Sequence, residues 1–78
     1  MREKYAKQYK EIGLKIAYYR KLKGYSQIEF SEMIDVSRTH LSNIEAPNKT
    51  TSISLDLLFT ISDVLEIEAK NFFEFTKL

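Results

Sequence analysis

We predict an all-α domain of five helices over residues 1–78, and three observations support this prediction. Apolar residues recur at steps of three and four along most of the chain, which is the period of an amphipathic helix. Serines stand just before several of these apolar runs, where a hydroxyl can cap a helix N-terminus. No segment shows the alternation of a half-buried β-strand above background. Together these features indicate a bundle of short helices.

The first helix is predicted over residues 3–23. Its apolar positions step by four, three, four and three and therefore share one face, which we assign to the core: Tyr5, Tyr9, Ile12, Ile16 and Tyr19. Gly24 ends this helix, because glycine adopts the left-handed backbone of a helix C-terminus at little cost.

The second and third helices, residues 26–34 and 37–45, form a helix-turn-helix. Ser26 with Glu29 makes a capping box, in which each side chain satisfies a free backbone N–H. Ser37 caps the third helix, and Asp35 stands at a turn position that needs a left-handed residue. Small Ser31 lies where the helices come closest, and the contact positions between them are apolar: Phe30, Ile34, Val36, Leu41 and Ile44.

Two further helices complete the predicted core. Pro47 and Asn48 end the third helix and open a polar loop, after which Ser54 caps a fourth helix. A short fifth helix over residues 69–75 contributes Phe72 and Phe73. The core-facing positions predicted for the fourth helix are Leu55, Leu58, Phe59, Ser62 and Leu65.

On these residues the chain resembles the phage-repressor-like Cro/XRE helix-turn-helix family. The resemblance covers residues 12–73 and is carried by residues 12–27, 36–45 and 54–65. It implies a lambda-repressor-like DNA-binding domain, here with an N-terminally extended first helix, that binds double-stranded DNA in a sequence-specific way as a transcriptional regulator, typically a repressor. The chain departs from the family in having Asp35 where glycine is usual and in a longer loop over residues 46–53.

The resemblance and the helix geometry make the third helix the recognition helix, which lies in the major groove with its N-terminal residues toward base edges. Arg38 can donate to guanine O6 and N7, Asn43 can bond adenine bidentately, and the Thr39 methyl can contact thymine. Taken alone, an exposed arginine or asparagine on a short helix is usually only a solvated residue, and the surrounding motif is what favours base contact. The predicted base-contact residues are Ser37, Arg38, Thr39, Ser42 and Asn43.

Gln27 is the strongest phosphate candidate, because free N–H groups and the positive dipole end of a helix N-terminus favour an anion. The predicted phosphate contacts are Lys23, Ser26, Gln27, His40, Lys49 and Thr50. His40 has no cysteine or second histidine to join it, so we predict no metal site. The resemblance also implies a structural ion pair between Arg20 and Glu45 that locks the third helix against the first.

Composition limits the other function classes. The chain has no cysteine, its start lacks the apolar stretch of a signal peptide, and no apolar run approaches membrane-spanning length, so we predict a cytoplasmic protein without disulfides. It has neither a glycine-rich phosphate loop nor a nucleophile with a base at a diagnostic spacing, so we predict neither an enzyme nor a cofactor.

The net charge of +1 is unevenly distributed along the chain. Residues 1–24 carry a net charge of +6, residues 25–49 carry −2, and residues 50–78 carry −3. A basic first helix can lie along phosphates while the acidic C-terminal part faces away. The alternative interpretation is that the surface charge is unevenly distributed but has no role in binding.

We also predict a homodimer on a palindromic operator, because one recognition helix contacts too few base pairs to specify an operator among other DNA sequences. Two apolar patches can supply the interface. One is the C-terminal tail with Phe75 and Leu78, which we favour because it is farthest from the recognition helix. The other is the face of the first helix with Leu14, Tyr18 and Leu22.

Two alternative functions stay open on the same fold. An antitoxin would use the domain to regulate its own gene and would bind a toxin through one of the two apolar patches. An interaction adaptor would have kept the fold and lost DNA binding. Gln27, Arg38 and Asn43 argue against the adaptor, because an adaptor has no need of them.

Overall fold

The computed structural model describes residues 3–75, and all of their regular elements are helical. Four α-helices follow one another, α1 (Ala6–Leu22), α2 (Gln27–Met33), α3 (Arg38–Glu45) and α4 (Leu55–Leu65). One 3₁₀ helix precedes α1 at Glu3–Tyr5, and another follows α4 at Ala69–Phe73. The predicted all-α class is confirmed over this part of the chain.

The predicted count of five helices is not confirmed, since the described residues form four α-helices and the segment predicted as the fifth helix is a 3₁₀ helix. Residues Ala69–Phe73 form a 3₁₀ helix, which is the usual form for so short a helical segment. The Lys15 ammonium on α1 donates to the backbone carbonyls of Asn71 and Glu74, so this segment is held by α1 at its C-terminal end. At the other terminus α1 begins at Ala6 rather than at residue 3, after a 3₁₀ turn and with no side-chain cap.

Serine caps begin three of the α-helices. The hydroxyl oxygens of Ser26, Ser37 and Ser54 accept from backbone N–H groups at 3.0, 3.0 and 3.1 Å. Ser26 N–H also donates to the Glu29 carboxylate at 2.9 Å, which completes the predicted capping box. Hydrogen bonds to its carboxylate, first from the Ser26 backbone and then from the Ser26 side chain, hold the pKa of Glu29 below its ordinary value.

Left-handed residues make the sharp turns between helices. Gly24 has φ of 80° and Asp35 has φ of 59°, as their positions in the sequence predict. Glu66 also has a positive φ, 58°, at the C-terminus of α4, and nothing in its residue type indicates this. The backbone there is set by the tertiary path of the chain, because glutamate does not favour the left-handed region.

One core joins all four α-helices and the C-terminal 3₁₀ helix. Tyr19 on α1 packs edge-on against Phe72, with ring centroids 5.9 Å apart. The apolar residues buried in the core are Ile12, Ile16, Phe30, Ile34, Leu41, Ile44, Leu58, Ile61, Leu65 and Phe72. The residues predicted to form the contact between the two helices of the helix-turn-helix are therefore buried, except that Val36 is half-buried at the edge of the core.

The predicted core face of α4 is partly wrong. Leu58, Ser62 and Leu65 are buried, but Leu55 and Phe59 are 60% and 51% exposed. Ile61 takes their place, because the buried stripe follows the side of α4 that packs against α1 and the C-terminal 3₁₀ helix. Phe73 and Tyr5, also predicted to be in the core, are 46% and 44% exposed.

Gly13 is the point where α1 and α3 pack most closely. It is buried on α1, and a Cβ atom there would overlap the backbone carbonyl oxygen of Ile44. Any side chain at position 13 would push α3 away from α1. This glycine therefore sets the depth at which α3 sits against the first helix.

We predict that Gly13→Ala destabilises the domain by about 1–3 kcal/mol or more, the cost of overpacking a well-packed contact. The sign of this change in unfolding free energy shows whether the clash exists, because replacing glycine by alanine in a helix interior without a clash stabilises by about 0.5–1 kcal/mol. Urea denaturation followed by circular dichroism measures the free energy of unfolding.

Gly24→Ala is the matched control. A Cβ at position 24 has no neighbour within 4 Å, but the residue has φ of +80°, so we expect a loss of about 1–2 kcal/mol from backbone strain alone. A stabilising effect of Gly13→Ala would contradict the close packing of α1 on α3.

Candidate nucleic-acid interface

A buried ion pair connects α1 to the end of α3. Arg20 Nε and Nη2 donate to the two carboxylate oxygens of Glu45 at 2.8 and 2.9 Å, a bidentate geometry. Arg20 and Glu45 are only 6% and 7% exposed. The third donor, Arg20 Nη1, bonds the carbonyl oxygen of Tyr25 at 2.7 Å. The guanidinium therefore joins α1, the loop before α2 and α3.

Gln27 belongs to the same network. Its side-chain Nε2 donates to Glu45 Oε1 at 2.9 Å, so the first residue of α2 is fixed to the last residue of α3. The side chain that the sequence assigns to a phosphate is thus half-buried and held in place. One hydrogen of its amide group remains for another acceptor, because Nε2 carries two.

The α3 helix presents a polar face beside a buried apolar one. Leu41 and Ile44 are buried, whereas Arg38 and Thr39 are exposed at the start of the helix. Ser42 and Asn43 are half-buried one turn later. These four polar residues share one side of α3, so the structure brings together most of the predicted base-contact residues.

Ser37 and His40 have a structural task at the start of α3. The Ser37 hydroxyl accepts from the His40 backbone N–H, so it caps the helix. His40 is half-buried. Over the part of the chain that the structure describes, no group of three or more His, Cys, Asp or Glu residues could hold a metal ion.

The loop after α3 folds back onto the end of that helix. Lys49 Nζ donates to Asn43 Oδ1 at 3.2 Å, and Thr51 Oγ1 donates to the Asn43 backbone carbonyl at 3.2 Å. Thr50 between them is exposed. The loop places Lys49 and Thr50, both predicted phosphate contacts, beside the polar face of α3. Thr51, which anchors the loop, was not identified from the sequence.

Two lysines at the end of α1 lie in different surroundings. Lys23 pairs with Glu66 at 3.0 Å and lines a depression with Leu22 and Leu65, near the end of α4. Lys21 instead lines the same depression as Gln27 and Ser42. The structure thus places Lys21, and not the predicted Lys23, next to the polar face of α3. No signal in the sequence indicates this, because helical spacing gives the faces of a helix but not the neighbour that each face meets.

Over residues 3–75, no helix is both long and apolar enough to cross a bilayer.

Comparison with known families gives one match over most of the chain. A family model described as helix-turn-helix matches residues 16–70. The match includes α2, α3 and α4 and the part of α1 that carries Arg20.

Curated relatives include the HTH-type transcriptional regulator SinR of Bacillus subtilis (strain 168) and that of Bacillus licheniformis. Each is 43% identical over 56 residues, which cover 72% of this chain and 50% of the relative. The chain thus spans about half the length of the curated relatives it matches.

Two solved structures share the fold. One is SinR, the master regulator for biofilm formation, in complex with DNA, with a TM-score of 0.73, 38% identity and coverage of 81% of this chain and 98% of that chain. The other is a SinR–SinI protein complex with the same TM-score and identity, of which 60% of the matching chain is covered. The four-helix domain described above is therefore a known fold.

We predict that Arg20 and Glu45 are strongly coupled in a double-mutant cycle. Arg20→Leu or Glu45→Leu alone should cost about 3–5 kcal/mol, because each leaves the other charge buried without a partner. The double variant should lose less than the sum of the two. If either single variant is unfolded, Arg20→Lys and Glu45→Gln give a milder cycle, measured by urea denaturation.

The exposed pair of Lys23 with Glu66 is the control. Its side chains are 36% and 78% exposed, so a Lys23→Met and Glu66→Gln cycle should show coupling below about 1 kcal/mol. Additive losses at Arg20 and Glu45, or equal coupling in the two cycles, would show that the buried pair does not lock α3.

Proposed function

Because the chain belongs to the Cro/C1-type helix-turn-helix family, also called the XRE family, we propose that it binds double-stranded DNA and regulates transcription. The observation that carries this proposal is the polar face of α3, where Arg38, Thr39, Ser42 and Asn43 lie together above a buried apolar face. A rigid helix with this arrangement is what a major groove accepts. In this proposal the protein represses genes from the cytoplasm and needs neither catalysis nor a cofactor.

Base contacts come from the exposed start of α3 and the turn that follows. Arg38 donates to guanine O6 and N7, and the Thr39 methyl packs against thymine. Ser42 and Asn43 reach base edges deeper in the site. Ser37 keeps its capping role and meets the DNA at the entrance of the groove.

Phosphate contacts flank the recognition helix. Gln27 and Ser26 lie at the start of α2, where free backbone N–H groups favour an anion. Lys49, Thr50 and His40 form the predicted contacts on the side of α3 and the loop. Lys21 joins this set because it shares a depression with Gln27 and Ser42. Lys23 contributes less, because it is paired with Glu66.

A homodimer on a palindromic operator is the arrangement we propose for binding. The C-terminal patch differs from the sequence prediction, since Phe75 is half-buried against the core and Leu78 lies outside the described residues. Exposed Tyr5, Leu55 and Phe73 line a depression with Phe75, and exposed Phe59 follows Leu55 by one turn of α4. We place the interface there, because Leu14 of the other patch borders the depression with Lys21 and Gln27 that faces the proposed DNA.

Binding of a partner protein is the second function we consider. Leu14, Tyr18 and Leu22 form a stripe on α1 that is 48%, 60% and 65% exposed. Such a stripe suits a partner helix. An antitoxin would use Tyr18 and Leu22 of this stripe for its toxin while keeping α3 for DNA, because only Leu14 of the stripe borders the depression with Lys21 and Gln27.

We expect Arg38→Ala to reduce specificity more than affinity for random DNA. Duplexes selected from a random pool should bind the variant about 1–3 kcal/mol more weakly, because a base contact is lost. Binding to unrelated duplexes should change little. Absence of duplex binding at low salt would overturn the proposed function, and an equal loss on both kinds of DNA would move Arg38 to the phosphate contacts.

Two lysine variants test the phosphate face by salt dependence. The slope of log affinity against log salt falls by about 0.9 for each phosphate contact that is removed. Lys21→Met should reduce the slope by about this amount, whereas Lys23→Met, with the same change of charge, should leave it almost unchanged. The reverse order would restore Lys23 as the DNA contact.

Sedimentation at tens of micromolar protein tests the dimer. We expect the unmodified chain to be a dimer, Phe59→Glu to be a monomer, and Tyr18→Glu, the matched control on α1, to remain a dimer. Loss of the dimer in Tyr18→Glu alone would move the interface to α1. A monomer that binds DNA one-to-one would contradict the dimer altogether.

A further inference from the structure

Asn43 and Lys49 form a pair at the place where α3 meets the following loop. The Lys49 ammonium donates to Asn43 Oδ1 at 3.2 Å, and the loop is anchored to the same residue by the Thr51 hydroxyl, which bonds the Asn43 carbonyl oxygen. The Lys49 backbone N–H bonds the Ala46 carbonyl at 3.3 Å, which closes the turn that brings the side chain back. The lysine is therefore positioned by the loop next to Asn43.

This pairing sets the orientation of the Asn43 amide. An ammonium has three donors and no acceptor, so only the amide oxygen can face it. The Nδ2 atom with its two hydrogens is then the part of the amide that the lysine does not engage. At Asn43 the polar face of α3 therefore presents hydrogen-bond donors, which are Asn43 Nδ2 and the remaining hydrogens of Lys49 Nζ.

Adenine and guanine make opposite demands on such a pair. In the major groove adenine presents the N7 acceptor and the N6 amino donor, so a bidentate asparagine needs its oxygen for N6–H. Guanine presents two acceptors, N7 and O6, and no donor. An amide oxygen that already accepts from a lysine keeps a second lone pair, but the Lys49 ammonium beside it presents further donors that would meet the adenine N6 amino group. Two neighbouring donors, Nδ2 and Nζ, instead match the two acceptors of guanine.

We propose that Asn43 and Lys49 act together as a guanine-reading pair, in which Lys49 both orients the amide and supplies the second donor. The proposal rests on the proposed binding of double-stranded DNA, and it replaces the adenine contact that the type of residue 43 alone suggests. It makes the loop after α3 a determinant of sequence specificity and not only a phosphate contact.

Selection of bound duplexes from a random pool tests this pair. The base pair that faces Asn43 is identified as the one at which Asn43→Ala loses its preference. We expect guanine there for the unmodified chain. Lys49→Met should lower the preference for guanine over adenine by about 5- to 100-fold, the usual range for a base-edge contact. Lys49→Arg keeps the charge and the donors and should retain guanine.

Lys70→Met is the control for charge alone, because Lys70 lies on the C-terminal 3₁₀ helix and pairs with the exposed Glu68. It should leave the base preference unchanged. Circular dichroism of each variant establishes that it is folded.

Three results would overturn the guanine-reading pair. They are adenine at the Asn43 position of the unmodified chain, an unchanged preference in Lys49→Met, and a loss in Lys49→Met that is equal on all sequences. The last would make Lys49 a phosphate contact. Failure of every duplex to bind at low salt would instead overturn the proposed function itself, so the two failures are distinguishable.

Discussion

The buried bidentate pair of Arg20 with Glu45 is the interaction on which the arrangement of the interface depends. Two charges that are almost fully removed from water are costly unless their hydrogen bonds are satisfied. Here the carboxylate accepts from Arg20 and Gln27, and the third guanidinium donor reaches the Tyr25 carbonyl. The network only closes when α1, α2 and α3 are in their native positions, so it favours one arrangement over other compact ones.

Packing at Gly13 also fixes the position of α3 against α1. Gly13 lets the backbone of α3 approach α1 so closely that a methyl group cannot fit between them. The depth of α3 is thus set by Gly13 and its direction by Arg20 and Glu45. Because the polar face of α3 is on the opposite side from this contact, the position of that face is determined by residues that do not belong to it.

The surface divides into regions with different uses. Around α3 lie Lys21, Gln27, Arg38 and Lys49, which are donors or cations suited to phosphates and base edges. Around α4 and the C-terminal 3₁₀ helix lie exposed apolar residues such as Leu55 and Phe59, together with acidic residues such as Glu66 and Glu68. The proposed DNA binding and the proposed self-association would therefore use separate faces of one small core.

The sequence by itself determined the starts of α2, α3 and α4, two of the sharp turns and the helix-turn-helix, because these depend on local chemistry. A serine before an apolar run caps a helix wherever it lies, and Gly24 and Asp35 suit positive φ on account of their side chains. The tertiary structure alone decided which side of α4 is buried, which replaced Leu55 and Phe59 by Ile61. It also decided that Lys21 and not Lys23 lies beside Gln27, and that Lys49 faces the Asn43 amide oxygen. These features depend on how elements distant in the chain pack together, and helical spacing gives the faces of a helix but not the neighbour that each face meets.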